Sequence, residues 1–168
     1  PAEPTPAWPE AANRATEVFI DGSAFHPKTH ELRVAAWAMT CKVEGRWVEA
    51  TKACPPGWAA AQAEAEGLVW AVIHASEGTE VVSDCWSAVQ AVWAIIRRGA
   101  VPKWLQKSKA KDHWYELARH THKEEVKSKK VFWMPSHETR RSLEEKGYKA
   151  SWYEGNEAAD RAAKRAAR

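Results

Sequence analysis

The sequence predicts an α/β protein built on a mixed sheet. Three observations carry this: three strand-like stretches in succession near the start, two short ones later, and helical spacing between and after them. Residues 16–25 hold the β-formers Val18, Phe19 and Ile20 and run into Asp21-Gly22-Ser23. A polar turn containing Pro27 follows, and residues 32–41 and 46–54 read as two further strands joined by a hairpin at Glu44-Gly45. Pro55-Pro56-Gly57 breaks the run. Ala61, Ala65, Leu68, Val69, Val72 and Ile73 then recur at helical spacing, which places an amphipathic helix over about 59–75. A short strand over 79–83 ends at Asp84, and a helix over about 86–98 is interrupted by Gly99 and Pro102. Residues 111–125 form a third helix, 131–134 the last strand, and 135–155 a long polar loop before a final alanine-rich helix. The order is βββαβααβα, with the three antiparallel strands first and helices flanking the sheet.

Composition narrows the class. With 168 residues, 45% of them hydrophobic and 28% charged, the chain suits one domain that folds without disulfides. Residues 1–14, rich in proline and alanine and without period, read as a flexible leader, and 15–168 as the domain. The start at Pro1 and the helical ending suggest a piece of a longer chain. Apolar runs are too short to span a bilayer, and no secretory signal opens the sequence. Cys41, Cys54 and Cys85 are scattered and odd in number, as expected for reduced thiols inside a cell, cytoplasmic or nuclear. Between Arg97 and Lys130 eleven Lys/Arg face four Asp/Glu, a balance of +7, against −4 for the remainder. That asymmetry fits either a phosphate-backbone footprint or a solvated basic face.

Asp21 and Asp84 close two strands, where ligands of α/β sheets collect. Each follows an apolar run, and two carboxylates at the rim of a core need protons or cations. An all-oxygen site suits a hard ion, Mg²⁺ or Mn²⁺. Taken singly, each is also an ordinary turn residue. The first helix offers Glu64 and Glu66, on opposite edges of its apolar stripe, so periodicity does not choose between them. The last helix offers Asp160, beside Ala163 and Ala167, whose small side chains allow close approach to a sheet.

These motifs together resemble the type 1 ribonuclease H family, in the form found in retroelement reverse transcriptases. Asp21-Gly22-Ser23, Gln62-Ala63-Glu64, Ser83-Asp84-Cys85, Trp133-Met134-Pro135-Ser136-His137 and Gly155-Asn156-Glu157-Ala158-Ala159-Asp160 stand in the family's order across about 16–167. The resemblance implies a five-stranded mixed sheet and Asp21, Glu64, Asp84 and Asp160 as ligands of two Mg²⁺, with Mn²⁺ as substitute. Glu64 is preferred over Glu66 on this ground alone. It further implies two-metal hydrolysis of the RNA strand of RNA–DNA hybrids, leaving 5′-phosphate and 3′-hydroxyl ends, with His137 assisting proton transfer or product release. Gly22, Gln62 and Asn156 would touch the RNA strand. Arg97, Arg98, Lys103, Trp104, Lys107, Lys109 and Lys111 resemble the family's basic protrusion, although Trp104 suits packing equally well. A monomeric domain, and a polymerase domain covalently linked in a parent chain, also follow from the resemblance. Three departures stand out: Ala59-Ala60-Ala61 where cellular members are polar, Cys85-Trp86 where Ser-Gln is common, and 23 residues between His137 and Asp160. A non-catalytic binding module and a transposase or integrase core are the competing classes. Retention of four acids argues against the first, and the His137 loop with the Asn156/Asp160 ending argues against the second.

Overall fold

The computed structural model describes the chain apart from Pro1, Pro27 and Thr29 and the side chain of His30. Pro27, assigned above to a turn, therefore lies outside the described residues. Strands β1 (Glu17–Phe25), β2 (Val34–Val43), β3 (Arg46–Ala53), β4 (Glu80–Ser83) and β5 (Lys130–Trp133) form one sheet in the order β3-β2-β1-β4-β5. The β3/β2 and β2/β1 pairs are antiparallel, whereas β1/β4 and β4/β5 are parallel. This is the mixed five-stranded sheet expected from sequence. Helices α1 (Ala60–His74), α2 (Trp86–Arg98), α3 (Lys111–His120), α4 (Glu124–Lys127), α5 (Arg140–Glu145) and α6 (Ala150–Ala166) flank it. Seven consecutive residues of β2, from Ala35 to Cys41, are buried, because α1 and α6 both pack on this strand.

Close approach on both faces depends on missing side chains. A Cβ on Gly67 of α1 would lie 2.9 Å from the Trp37 ring of β2, so this helix rests directly on a fully buried indole. On the other face, a Cβ on Gly155 of α6 would stand 2.1–2.4 Å from the Phe19 ring. Thr40 donates a hydrogen bond to the Gly155 carbonyl at 3.2 Å, and Ala38 packs against Ala162 and Ala163.

Three segments differ from the sequence-based expectation. The expected helix over 111–125 is two helices, α3 and α4, separated by residues 121–123, with Thr121 donating back to the Ala118 carbonyl. The expected loop over 135–155 contains α5, whose first turn is capped by Thr139 accepting from the Ser142 amide at 3.1 Å. The same stretch also holds the beginning of α6. Gly155 reads as a loop glycine in sequence but sits inside a helix, because the Phe19 ring occupies the place of its side chain. Residues 2–14, read as a flexible leader, make contacts that a free leader lacks. The Glu3 amide donates to the Ala53 carbonyl at 2.9 Å, and its carboxylate accepts from the Ala53 amide at 2.8 Å. Trp70 of α1 donates to the Pro6 carbonyl at 3.2 Å, with the Trp8 ring 4.8 Å away.

Gly155→Ala is expected to lower unfolding free energy by about 1–3 kcal/mol through overpacking. Urea unfolding measures this, and Phe19→Leu in the same chain should recover part of the loss.

Candidate active site

β1 and β4 are parallel neighbours in register, Ile20 against Ser83, so Asp21 and Asp84 stand next to each other just past that pair. Glu64 comes from α1 and is only 3% exposed. Its arrival depends on Gly22: a Cβ there would sit 2.7 Å from the Ala60 carbonyl and 2.9 Å from the Glu64 amide. With hydrogen in that place, the first turns of α1 press onto β1. Oxygen atoms of Asp21, Glu64 and Asp84 all lie within 4.8 Å of one another. Asp160 joins from α6, near enough to act electrostatically on Asp21 and Asp84, and Asn156 one turn earlier on α6 stands beside Asp84. His137, in the bend after β5 with φ 56°, acts electrostatically on Asp84. Four acids far apart in sequence therefore converge at one end of the sheet.

Electrostatics agree with the geometry. Burial, then the charges of Asp84 and Asp160, push the Asp21 carboxyl up to about 8. Glu64 is raised well above the usual carboxylate range, first by burial and then by Asp21 and Asp84. Asp84 is raised by burial, while His137 draws it in the opposite direction. Glu64 Oε2 is buried with no hydrogen-bond partner among the described residues. An orphaned buried carboxyl oxygen, facing two more acids, fits a bound cation, and oxygen-only donors fit a hard divalent ion. At Asp160, a Lys164 ammonium stands 2.9 Å away. Lys164 was not singled out from sequence, although its i,i+4 spacing from an acid was a usable signal.

The structure separates the two helix glutamates. Glu66 faces away from the cluster, accepting from Trp37 Nε1 at 2.9 Å and pairing with Lys52 at 2.9 Å. His113 is 3.9 Å from its other oxygen. Gln62 spends its amide on the backbone, accepting from the Ala59 amide at 3.0 Å and donating to the Lys109 carbonyl at 3.3 Å. That contact ties the basic segment to the start of α1. Lys103 and Trp104 form a short 3-10 helix with Leu105, and Trp104 is 60% exposed, which removes it from the core. Arg97, Arg98, Lys107, Lys109 and Lys111 are all exposed. Cys41, Cys54 and Cys85 are free thiols. Among the described residues no helix is long and apolar enough to cross a membrane.

Asp84 follows the end of β4 as expected, but Asp21 does not close its strand: β1 continues through Gly22 to Phe25 on its pairing with β2, and only the pairing with β4 stops before Asp21. A sheet of this order, with acids just past the pairing of two adjacent parallel strands, defines the ribonuclease H-like architecture. The RNase H family model matches residues 13–168, and the chain belongs to that family. A sequence comparison with curated proteins finds no match. Among solved structures the chain is similar to the PFV RNase H domain determined in solution (TM-score 0.64, 15% identity, 90% of this chain and 93% of that one). It is also similar to the foamy viral protease-reverse transcriptase in complex with RNA/DNA hybrid (TM-score 0.61, 13% identity, 98% of this chain and 21% of that one). A third likeness is to the foamy viral enzyme in complex with dsDNA (TM-score 0.62, 13% identity, 96% and 98%). The chain thus spans about a fifth of the first of the two protease-reverse transcriptase chains. At these identities the likeness concerns the fold.

The raised carboxyls set a pH dependence. A carboxyl whose folded value exceeds its unfolded value stabilises the fold at low pH and loses that contribution as pH rises through the folded value. For Asp21 the window runs from about 4, the ordinary carboxylate range, to about 8. In EDTA, Asp21→Asn is expected to melt at higher temperature than the parent at pH 8.5. That advantage should vanish as pH falls towards 4, as read by circular dichroism.

Proposed function

We propose that this domain is an endonuclease that hydrolyses the RNA strand of RNA–DNA hybrids. The observation that carries the reading is the convergence of Asp21, Glu64 and Asp84 within 4.8 Å, with an unpartnered buried Glu64 oxygen and Asp160 alongside. Asp21, Glu64 and Asp84 would hold one Mg²⁺, and Asp21 with Asp160 a second, Mn²⁺ serving as substitute. Bound there, divalent ions supply Lewis acidity, raising the acidity of a water and stabilising charge on the phosphate.

The protein's own groups do the rest. Asp21 is held within the β1 ladder, Asp84 just past the end of β4 and Glu64 by a helix pressed onto β1, so the site needs little reorganisation on binding. Water attacks phosphorus, the phosphorus–O3′ bond breaks, and the products are a 5′-phosphate and a 3′-hydroxyl. His137 is exposed in its bend and close to Asp84, so it is free to carry a proton to or from the leaving group. Gly22, Gln62 and Asn156 border the acids and would read the RNA strand through its 2′-hydroxyls. Gln62 would serve there through its hold on Lys109, which keeps the basic segment against the start of α1. The exposed cations of 97–111, with Trp104 among them, supply a phosphate-backbone grip for the DNA strand. The domain proper is assigned to 15–168, acting as a monomer inside the cell, with a polymerase domain linked to it in a parent chain. Reduced thiols agree with that setting.

The test uses end-labelled RNA–DNA hybrid, duplex DNA and duplex RNA with Mg²⁺ or EDTA. RNA should be cut only in the hybrid and only with metal. Cleavage of duplex DNA, or of hybrid in EDTA, would remove the assignment. Glu64→Gln should lower kcat by more than the ~10–100-fold typical of changes outside the ligand shell. Glu66→Gln should keep its activity and lose about 1–3 kcal/mol of stability, since it removes the charge paired with the nearly buried Lys52, although an amide oxygen can still accept from Trp37 Nε1.

A further inference from the structure

Three indoles form one aromatic cluster beside the acids, on the β5 side of the sheet. The Trp86 ring lies 5.2 Å from Trp133 at 66° and 5.7 Å from Trp93 at 84°. Both contacts are T-shaped, with neither neighbour stacked parallel on Trp86, and Trp86 stays half exposed. Both neighbours are pinned through their N–H groups: Trp93 donates to the Val131 carbonyl at 2.9 Å, and Trp133 to the Asp84 carbonyl at 3.2 Å. Trp93 thereby guards the open edge of β5. That role does not account for Trp86, which opens α2 two residues after Asp84 with 48% of its surface exposed.

A half-exposed indole held by two anchored neighbours has little freedom left to lose when a flat partner stacks on it. The cluster is tied to the backbone of Asp84 itself, so it adjoins the path of whatever strand the acids act on. Under the function proposed above, on which this inference rests, that strand is RNA. Paired bases already have their faces stacked within the hybrid, and only an unpaired base offers one. Stacking on an indole tolerates any base and contributes about 1–3 kcal/mol per base. We propose that Trp86, backed by Trp93 and Trp133, is a stacking platform for an unpaired base of the RNA strand flanking the hybrid. The domain would then favour substrates in which the hybrid ends beside single-stranded RNA.

The experiment compares a blunt hybrid with hybrids whose RNA strand carries a four-nucleotide 5′ or 3′ extension. Fluorescence anisotropy in EDTA gives Kd, and cleavage in Mg²⁺ gives KM. One of the two extensions should tighten Kd and lower KM about tenfold for the parent protein. Trp86→Leu keeps apolar cover but has no ring face and should lose that preference, whereas Trp86→Phe should retain most of it. No effect of either extension on the parent, or an unchanged preference in Trp86→Leu, overturns the platform. The two readings fail separately. Absence of hybrid cleavage with a surviving extension effect removes the nuclease assignment alone, and hybrid cleavage indifferent to extension removes the platform alone.

Discussion

Repulsion among buried carboxyls governs this structure. Three of them lie within 4.8 Å where water is largely excluded, and a fourth adjoins them. Charges so placed are unfavourable unless protons or cations compensate, which is why Asp21 and Glu64 hold their protons so strongly. The fold has to keep the acids together against that tendency. It does so with backbone, which cannot relax away as a flexible side chain can. Asp21 and Asp84 are fixed by the parallel β1/β4 ladder, Glu64 by a helix seated on Gly22, and Asp160 by a helix seated on Gly155 and three alanines. Small residues in this chain thus serve electrostatics as much as packing, since each one shortens the distance between like charges.

The two faces of the sheet divide the labour. On one side, α1 brings Glu64 to the acids and turns Glu66 to the opposite edge, where Lys52, Trp37 and His113 receive it. Two glutamates two residues apart thereby do opposite things: Glu64 keeps a buried oxygen without a hydrogen-bond partner, whereas Glu66 is paired with Lys52 and Trp37. On the other side, α6 carries Asn156 and Asp160, one turn apart, onto Asp84 and Asp21. Lys164 sits one turn beyond and neutralises Asp160 with an ammonium. The four acids are therefore not equivalent before any ion arrives.

Much of this was legible in the sequence, for identifiable reasons. The succession of strands along the chain and the placement of Asp84 past β4 follow from apolar runs that end in polar residues, a local pattern, whereas β1 runs on past Asp21 because Gly22 to Phe25 keep their pairing with β2. The choice of Glu64 over Glu66 was not available from periodicity, because both flank the same apolar stripe and the deciding contacts with Lys52 and Trp37 are distant in sequence. Family resemblance supplied it. Gly155 misled because its tolerance within a helix depends on a phenyl ring 136 positions earlier, at Phe19. The N-terminal stretch lacks period because it is held by backbone bonds to β3 and by single aromatic contacts, neither of which leaves a repeating signature. Trp8, a large aromatic in an otherwise proline-rich segment, was the one residue that hinted at docking.

Those N-terminal contacts bear on how the molecule behaves in a crowd. An open sheet margin is a template on which another chain can add itself. Here Glu3 occupies the amide and carbonyl of Ala53 on β3, Arg46 and Glu49 place charge further along it, and the Trp93 indole takes the Val131 carbonyl at the opposite margin. Both rims of the sheet are stoppered from within the same polypeptide. A chain trimmed of its first few residues would expose a sticky border on β3, and self-association at high concentration would be the earliest sign of that loss.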